Sequence, residues 1–126
     1  MAPEAVPMAD FAAVESILHE LERNEGVQYP ILVSLAGSFL AGAAPKGVYV
    51  DTFASMFAVV IGSADTIAAE LKENLQSVVI QTSGAKCLVV RTGRKTVLAV
   101  RLPTNADPQR VEQAIAKYIP RIEEYL

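Results

Sequence analysis

The chain has 126 residues, 52% hydrophobic and 20% charged, with a formal net charge of −3. That length fits one domain around one core, and the high apolar content predicts that part of the surface is covered by a partner. The acidic balance argues against a nucleic-acid binder, and the single cysteine, Cys87, excludes an internal disulfide and fits a reducing cytoplasmic compartment.

Residues 1–9 hold Pro3 and Pro7 among small side chains, which predicts a flexible tail ahead of a domain over residues 10–126. The tail lacks the basic start and apolar run of a signal sequence, and no apolar run reaches the ~20 residues of a bilayer span, so no membrane insertion is expected. From Asp10 the pattern turns helical: Phe11, Val14, Ile17, Leu18 and Leu21 share a face, Asp10 serves as N-cap and Gly26 as stop. Glu15, Glu20, Glu22 and Glu25 read as its solvated face. Residues 29–36 read as a buried strand, Gly37 as a turn and residues 39–44 as the returning strand, which Pro45 ends.

Asp51 then caps a second helix whose Phe53, Met56, Phe57, Val60, Ala64, Ile67 and Leu71 recur at spacings of three and four and are assigned to the sheet. Residues 77–82, 85–91 and 95–102 predict a meander of three strands, joined at Ser83-Gly84 and Thr92-Gly93-Arg94. Asp107 and Pro108 open a last helix through Val111, Ile115, Tyr118 and Ile119, which Pro120 kinks or ends. Ile31, Leu32 and Val33, and Cys87 to Val90, are apolar at consecutive positions. An antiparallel sheet needs that only when helices cover both faces.

Little in the sequence carries chemistry. His19, the lone histidine, lies among glutamates with no nucleophile placed beside it, and Cys87 sits in an apolar strand as a small hydrophobe. Gly93-Arg94-Lys95-Thr96 is only superficially like a phosphate loop, because the earlier glycine is missing and a strand follows. Asp65, Glu70 and Glu73 lie on one helix and build no converging site. No catalytic residue, cofactor or metal is therefore assigned. Residues 74–106 do carry five positive charges, Lys86, Arg91, Arg94, Lys95 and Arg101, and no acidic residue, which leaves −8 on the rest of the chain. This predicts either a basic surface suited to an acidic protein partner or ordinary solvated strand ends, where outward positions often carry lysine or arginine. RNA ranks lower, since no aromatic residues interleave the charges.

The hairpin Ile31-Leu32-Val33-Ser34-Leu35-Ala36-Gly37-Ser38-Phe39-Leu40-Ala41, the alanine-rich second helix and the meander from Val78-Val79-Ile80 to Val97-Leu98-Ala99-Val100 resemble the dynein light-chain roadblock family over about residues 10–119. Ala36, where the family often has an acidic or amide residue, and the loop Pro45-Lys46-Gly47 depart from its pattern. The resemblance implies an α/β (α+β) fold of roadblock/profilin-like type: a three-layer sandwich with a five-stranded antiparallel sheet, helix two on one face and helices one and three on the other. It also implies a homodimer formed by pairing of third strands and second helices. Its function would be that of a non-catalytic, cytoplasmic scaffold and regulator of a small Ras-like GTPase, some bacterial relatives accelerating GTP hydrolysis. The alternatives are a structural light-chain adaptor and a small-molecule sensor of profilin-like or PAS-like fold.

On that basis Ala54, Ala58, Gly62, Asp65 and Ala69 form a small-residue stripe assigned, with Val78, Val79 and Ile80 of the third strand, to the dimer interface. Gly62 in mid-helix is disfavoured by about 1 kcal/mol relative to alanine unless close contact requires it. The uncharged third strand is an edge that pairing would cover. Ser55, Val59, Thr66, Glu70, Arg91, Arg94 and Lys95 are assigned to the partner-binding side.

Overall fold

A computed structural model describes residues 9–126, so the tail expected over residues 1–9 lies, except for Ala9, outside the described residues. Asp10 caps helix α1 (Phe11–Glu25), its Oδ1 accepting from the Ala13 amide at 3.0 Å. Gly26 closes the helix in the left-handed conformation, φ 70°, its N–H donating to the Glu22 carbonyl. Val14, Ile17, Leu18 and Leu21 form the buried face that the spacing predicts.

The strands are β1 (Gln28–Ser34), β2 (Phe39–Gly42), β3 (Val78–Gln81), β4 (Lys86–Arg91) and β5 (Thr96–Leu102), in the antiparallel order β2-β1-β5-β4-β3. Thus β1 and β5 lie at the centre of the sheet with β4, and β2 and β3 are the edges. Register sorts the apolar runs to two faces. Leu32, Leu98, Val100, Leu88 and Val90 meet α1, α3 (Pro108–Ile115) and α4 (Ile119–Glu123). Ile31, Val33, Val97, Ala99 and Val89 meet α2 (Val50–Glu70). This is the three-layer sandwich expected, and it explains why the central strands have no polar face.

Three local expectations are corrected. The N-cap of α2 is Tyr49, without a side-chain hydrogen bond, and Asp51 lies in the first turn, where its negative charge faces the positive end of the helix dipole. The last helix divides: α3 begins at Pro108 under Asp107, whose side chain accepts from the Gln109 amide, and it stops at Ile115. A new short helix, α4, carries Pro120 in its first turn. Pro120 has no N–H to give the Ala116 carbonyl and its ring would clash there, so a continuous helix cannot pass. Finally, α2 is a single 21-residue helix long and apolar enough, by length and composition, to cross a bilayer, contrary to the expectation that no stretch would be.

The α4 segment is fixed to α1 by charge and an aromatic anchor. Tyr118, 2% exposed, donates to Glu25 Oε2 at 2.8 Å and accepts from Asn24 at 3.3 Å. Arg121 grips both carboxylate oxygens of Glu20, at 3.0 and 2.7 Å.

Candidate partner-docking surface

The helix α2 is apolar nearly all round, so its two long faces have to be separated by what they touch. Ala54, Phe57, Ala58 and Ile61 are buried on the sheet. Alanine at this contact lets the helix backbone approach the β-branched strand residues Val33, Val89 and Val97. The assignment of Ala54 and Ala58 to an outward stripe is therefore corrected: they belong to the core. Asp65, placed on the same stripe, is also turned sheetward, pairing with Arg91 at the end of β4. Gly62 and Ala69 do face outward.

The larger side chains lie on the other side. Met56 is 57%, Val59 68%, Ile67 62% and Leu71 63% exposed. The assignment of Met56, Ile67 and Leu71 to the sheet face is thus corrected too; Val60 is half-buried, and Phe53 and Phe57 keep to the sheet side. Ser55 and Thr66, candidates for partner contact, lie on this outer face, and each hydroxyl donates to a carbonyl of its own helix, Thr52 at 2.9 Å and Gly62 at 3.0 Å. Covering them would strand no hydroxyl proton. Glu70 is exposed at the C-terminal end of the same face. A largely apolar surface one helix long is thus displayed to solvent, on the side of α2 opposite its packing contacts.

Beside it runs the free edge of β3. Val78 and Ile80 are half-buried against the α2 side of the sheet, and Val79, 43% exposed, points to the opposite face. The strand contains no proline or charge, leaving its outer amides and carbonyls free to pair.

The five positive charges of residues 74–106 do not form one patch. Lys86 and Arg101 lie at one end of the paired strands, and Arg91, Arg94 and Lys95 at the other, around the β4–β5 turn. Lys86 donates to the Ala106 carbonyl at 3.0 Å and Arg91 is held by Asp65, so of the turn group Arg94 and Lys95 remain exposed without an ion pair among the described residues. The expected single basic surface is corrected to two separate ends. At the turn itself, Thr96 Oγ1 donates to the Thr92 carbonyl and the two hydroxyls meet at 2.8 Å, a buried polar pair that is fully satisfied. Gly93-Arg94-Lys95-Thr96 is this hairpin turn, in line with the sequence reading.

The sequence profile of the Roadblock/LC7 domain matches residues 13–102. No curated protein sequence matches significantly. Among solved structures, the chain is similar to an MglB in a tetrameric arrangement, with TM-score 0.80 and 24% identity over 100% of both chains. It is similar to the gliding protein MglB of Thermus thermophilus, at 0.77 and 23% over 100% of both, and to Myxococcus xanthus MglB, at 0.81 and 17% over 98% of this chain and 91% of that one. With the profile spanning well over half of its length, the chain belongs to the Roadblock/LC7 family.

Proposed function

We propose that this chain is a homodimeric, non-catalytic cytoplasmic platform that binds a small Ras-like GTPase and biases its conformation. The observation that carries the reading is the outward face of α2, where Met56, Val59, Ile67 and Leu71 are each more than half exposed. Large apolar side chains exposed along one helix mark a binding surface or an aggregation hazard, and a symmetric partner removes the hazard. The free edge of β3 offers a second symmetric contact through backbone hydrogen bonds. Family membership supports the GTPase, since roadblock domains act as dimeric platforms for small Ras-like GTPases. Regulation would arise from differential affinity for the partner's conformations, without a catalytic group from this chain.

Light scattering on the purified chain, with Val59→Asp and Val79→Lys beside it, tests the dimer. The wild type is expected at twice the 13.5 kDa chain mass, with Val59→Asp monomeric and Val79→Lys weakened. A pull-down of a small Ras-like GTPase loaded with GDP or a GTP analogue then tests the partner, with capture by the wild type and loss with Val59→Asp. A wild-type monomer, or a dimer indifferent to a charge at both positions, overturns the reading.

A further inference from the structure

Between the N-terminal half of α2 and the sheet lies a cavity of about 170 Å³, on the inner side of the helix and separate from its docking face. Ile31, Phe57, Ala85 and Ala99 are its buried walls, and Phe53 meets Phe57 edge to face with ring centroids 4.6 Å apart. An apolar cavity of about 150 Å³ is large enough to admit a benzene-sized guest. The space is therefore large enough for one aromatic ring, and most of its lining is apolar.

One cation lines this apolar space. Arg101 on β5 is the cross-strand neighbour of Cys87, and both side chains line the cavity. Whereas Arg91 and Arg121 each hold a carboxylate, the Arg101 side chain has no ion pair or hydrogen bond among the described residues, although the residue is only partly exposed. Glu22 borders an adjoining groove with Arg101 and is not bonded to it. A half-buried arginine without a counter-charge is a ready receptor for a carboxylate, which its guanidinium binds through two parallel hydrogen bonds. Tyr29 also lines the space, from a bulge in β1 at φ 49°, a conformation that non-glycine residues seldom adopt and that recurs at ligand sites.

We propose that this cavity binds a small aromatic carboxylate, its ring between Phe53, Phe57 and Ala99 and its carboxylate on Arg101. Apolar walls with a single orienting charge are the usual construction of a small-ligand site. The site is independent of the dimer and of any GTPase, so it stands or falls by its own test.

Cys87, the only thiol in the chain, supplies the reporter. Burial pushes its pKa up, with the nearby Arg101 charge acting against that, so alkylation by neutral iodoacetamide is followed by mass spectrometry under mildly alkaline conditions. Benzoate is expected to slow alkylation saturably at concentrations up to about 10 mM, and benzyl alcohol to need about tenfold more. Arg101→Gln should erase that difference; because losing the charge also raises the Cys87 pKa, protection in each protein is read relative to its own unliganded rate. Amide shifts on benzoate titration should centre on Ile31, Cys87 and Ala99. Absence of saturable protection, equal protection by the alcohol, benzoate protection unchanged in Arg101→Gln, or shifts centred elsewhere would each overturn the site.

Discussion

Arg91 at the end of β4 donates through Nη1 to Asp65 Oδ2 on α2 at 2.5 Å, while its Nη2 reaches the Arg94 carbonyl at 3.3 Å. One guanidinium thereby ties α2 to the β4–β5 turn. Both side chains stay about one-third exposed, at 37% and 32%, so water and salt screen the pair and it is worth under about 1 kcal/mol. Asp65→Asn is expected to lower stability by about 0.5 kcal/mol in low salt and by less in high salt. Denaturant melts at two ionic strengths check this; an effect of several kcal/mol would mean that the pair is the hub of a tighter network.

Acid should act through a different pair. The two-point hydrogen bond from Arg121 holds the Glu20 carboxyl below its ordinary value of 4.5; desolvation opposes this, and the charges of Arg121, Arg23 and Lys117 add lesser effects in the same direction as the hydrogen bond. A carboxyl with a depressed folded-state pKa contributes stability that is fully present above the unfolded value and is lost as pH falls through the folded one. Wild type and Glu20→Gln should therefore differ in Tm at neutral pH and converge once the pH drops below 4.5 and on through the folded pKa. Melts from neutral pH into acid read it, and a difference that persists unchanged into strong acid would sever the link to Glu20.

The reach of the sequence differs sharply between the two sides of α2. Element order as far as α3, the caps at Asp10, Gly26 and Asp107, and the two-sided burial of β1 and β5 are all readable, because each follows from a local signal or from consecutive apolar residues. The rotation of α2 is not. Its turns carry apolar residues on every side, so periodicity alone has no polar stripe to subtract, and ranking by size sends Met56, Ile67 and Leu71 inward. Packing reverses that order: Ala54 and Ala58 allow the helix to settle on the bulky sheet, and the large side chains are left outside. Arg101 is not legible as a cavity residue because only the β4–β5 register brings it beside Cys87.

Gly42 ends β2 at φ 100°, and a Cβ there would lie 2.1 Å from the Pro30 carbonyl oxygen and 2.9 Å from Ile31 Cα. Both are backbone atoms of the paired strand and cannot swing away. The same amide also donates to Glu15 Oε1 at 2.7 Å, joining β2 to α1. Gly42→Ala should cost about 3 kcal/mol or more, from the φ penalty together with the clash. Gly47→Ala, at φ 86° with no atom near its Cβ, carries the φ penalty alone, about 1–2 kcal/mol. Comparing the two denaturation midpoints separates the terms, and equal losses would show that the sheet edge yields at Gly42.

Gly62 presents the opposite case. It is helical, faces outward on α2, and has nothing within 4 Å of its Cβ position, so no contact among the described residues accounts for it. Alanine there should stabilise the isolated fold by up to about 1 kcal/mol through helix propensity. If a second α2 lies across this face, the added methyl acts against close approach of the two backbones, and leucine does so more strongly. Stability measured at dilute protein and self-association measured by light scattering are then expected to move in opposite directions for Gly62→Ala. Gly62→Leu should dissociate the dimer. Association left unchanged by both substitutions would remove close helix pairing as the reason for this glycine and leave the β3 edge to carry self-association.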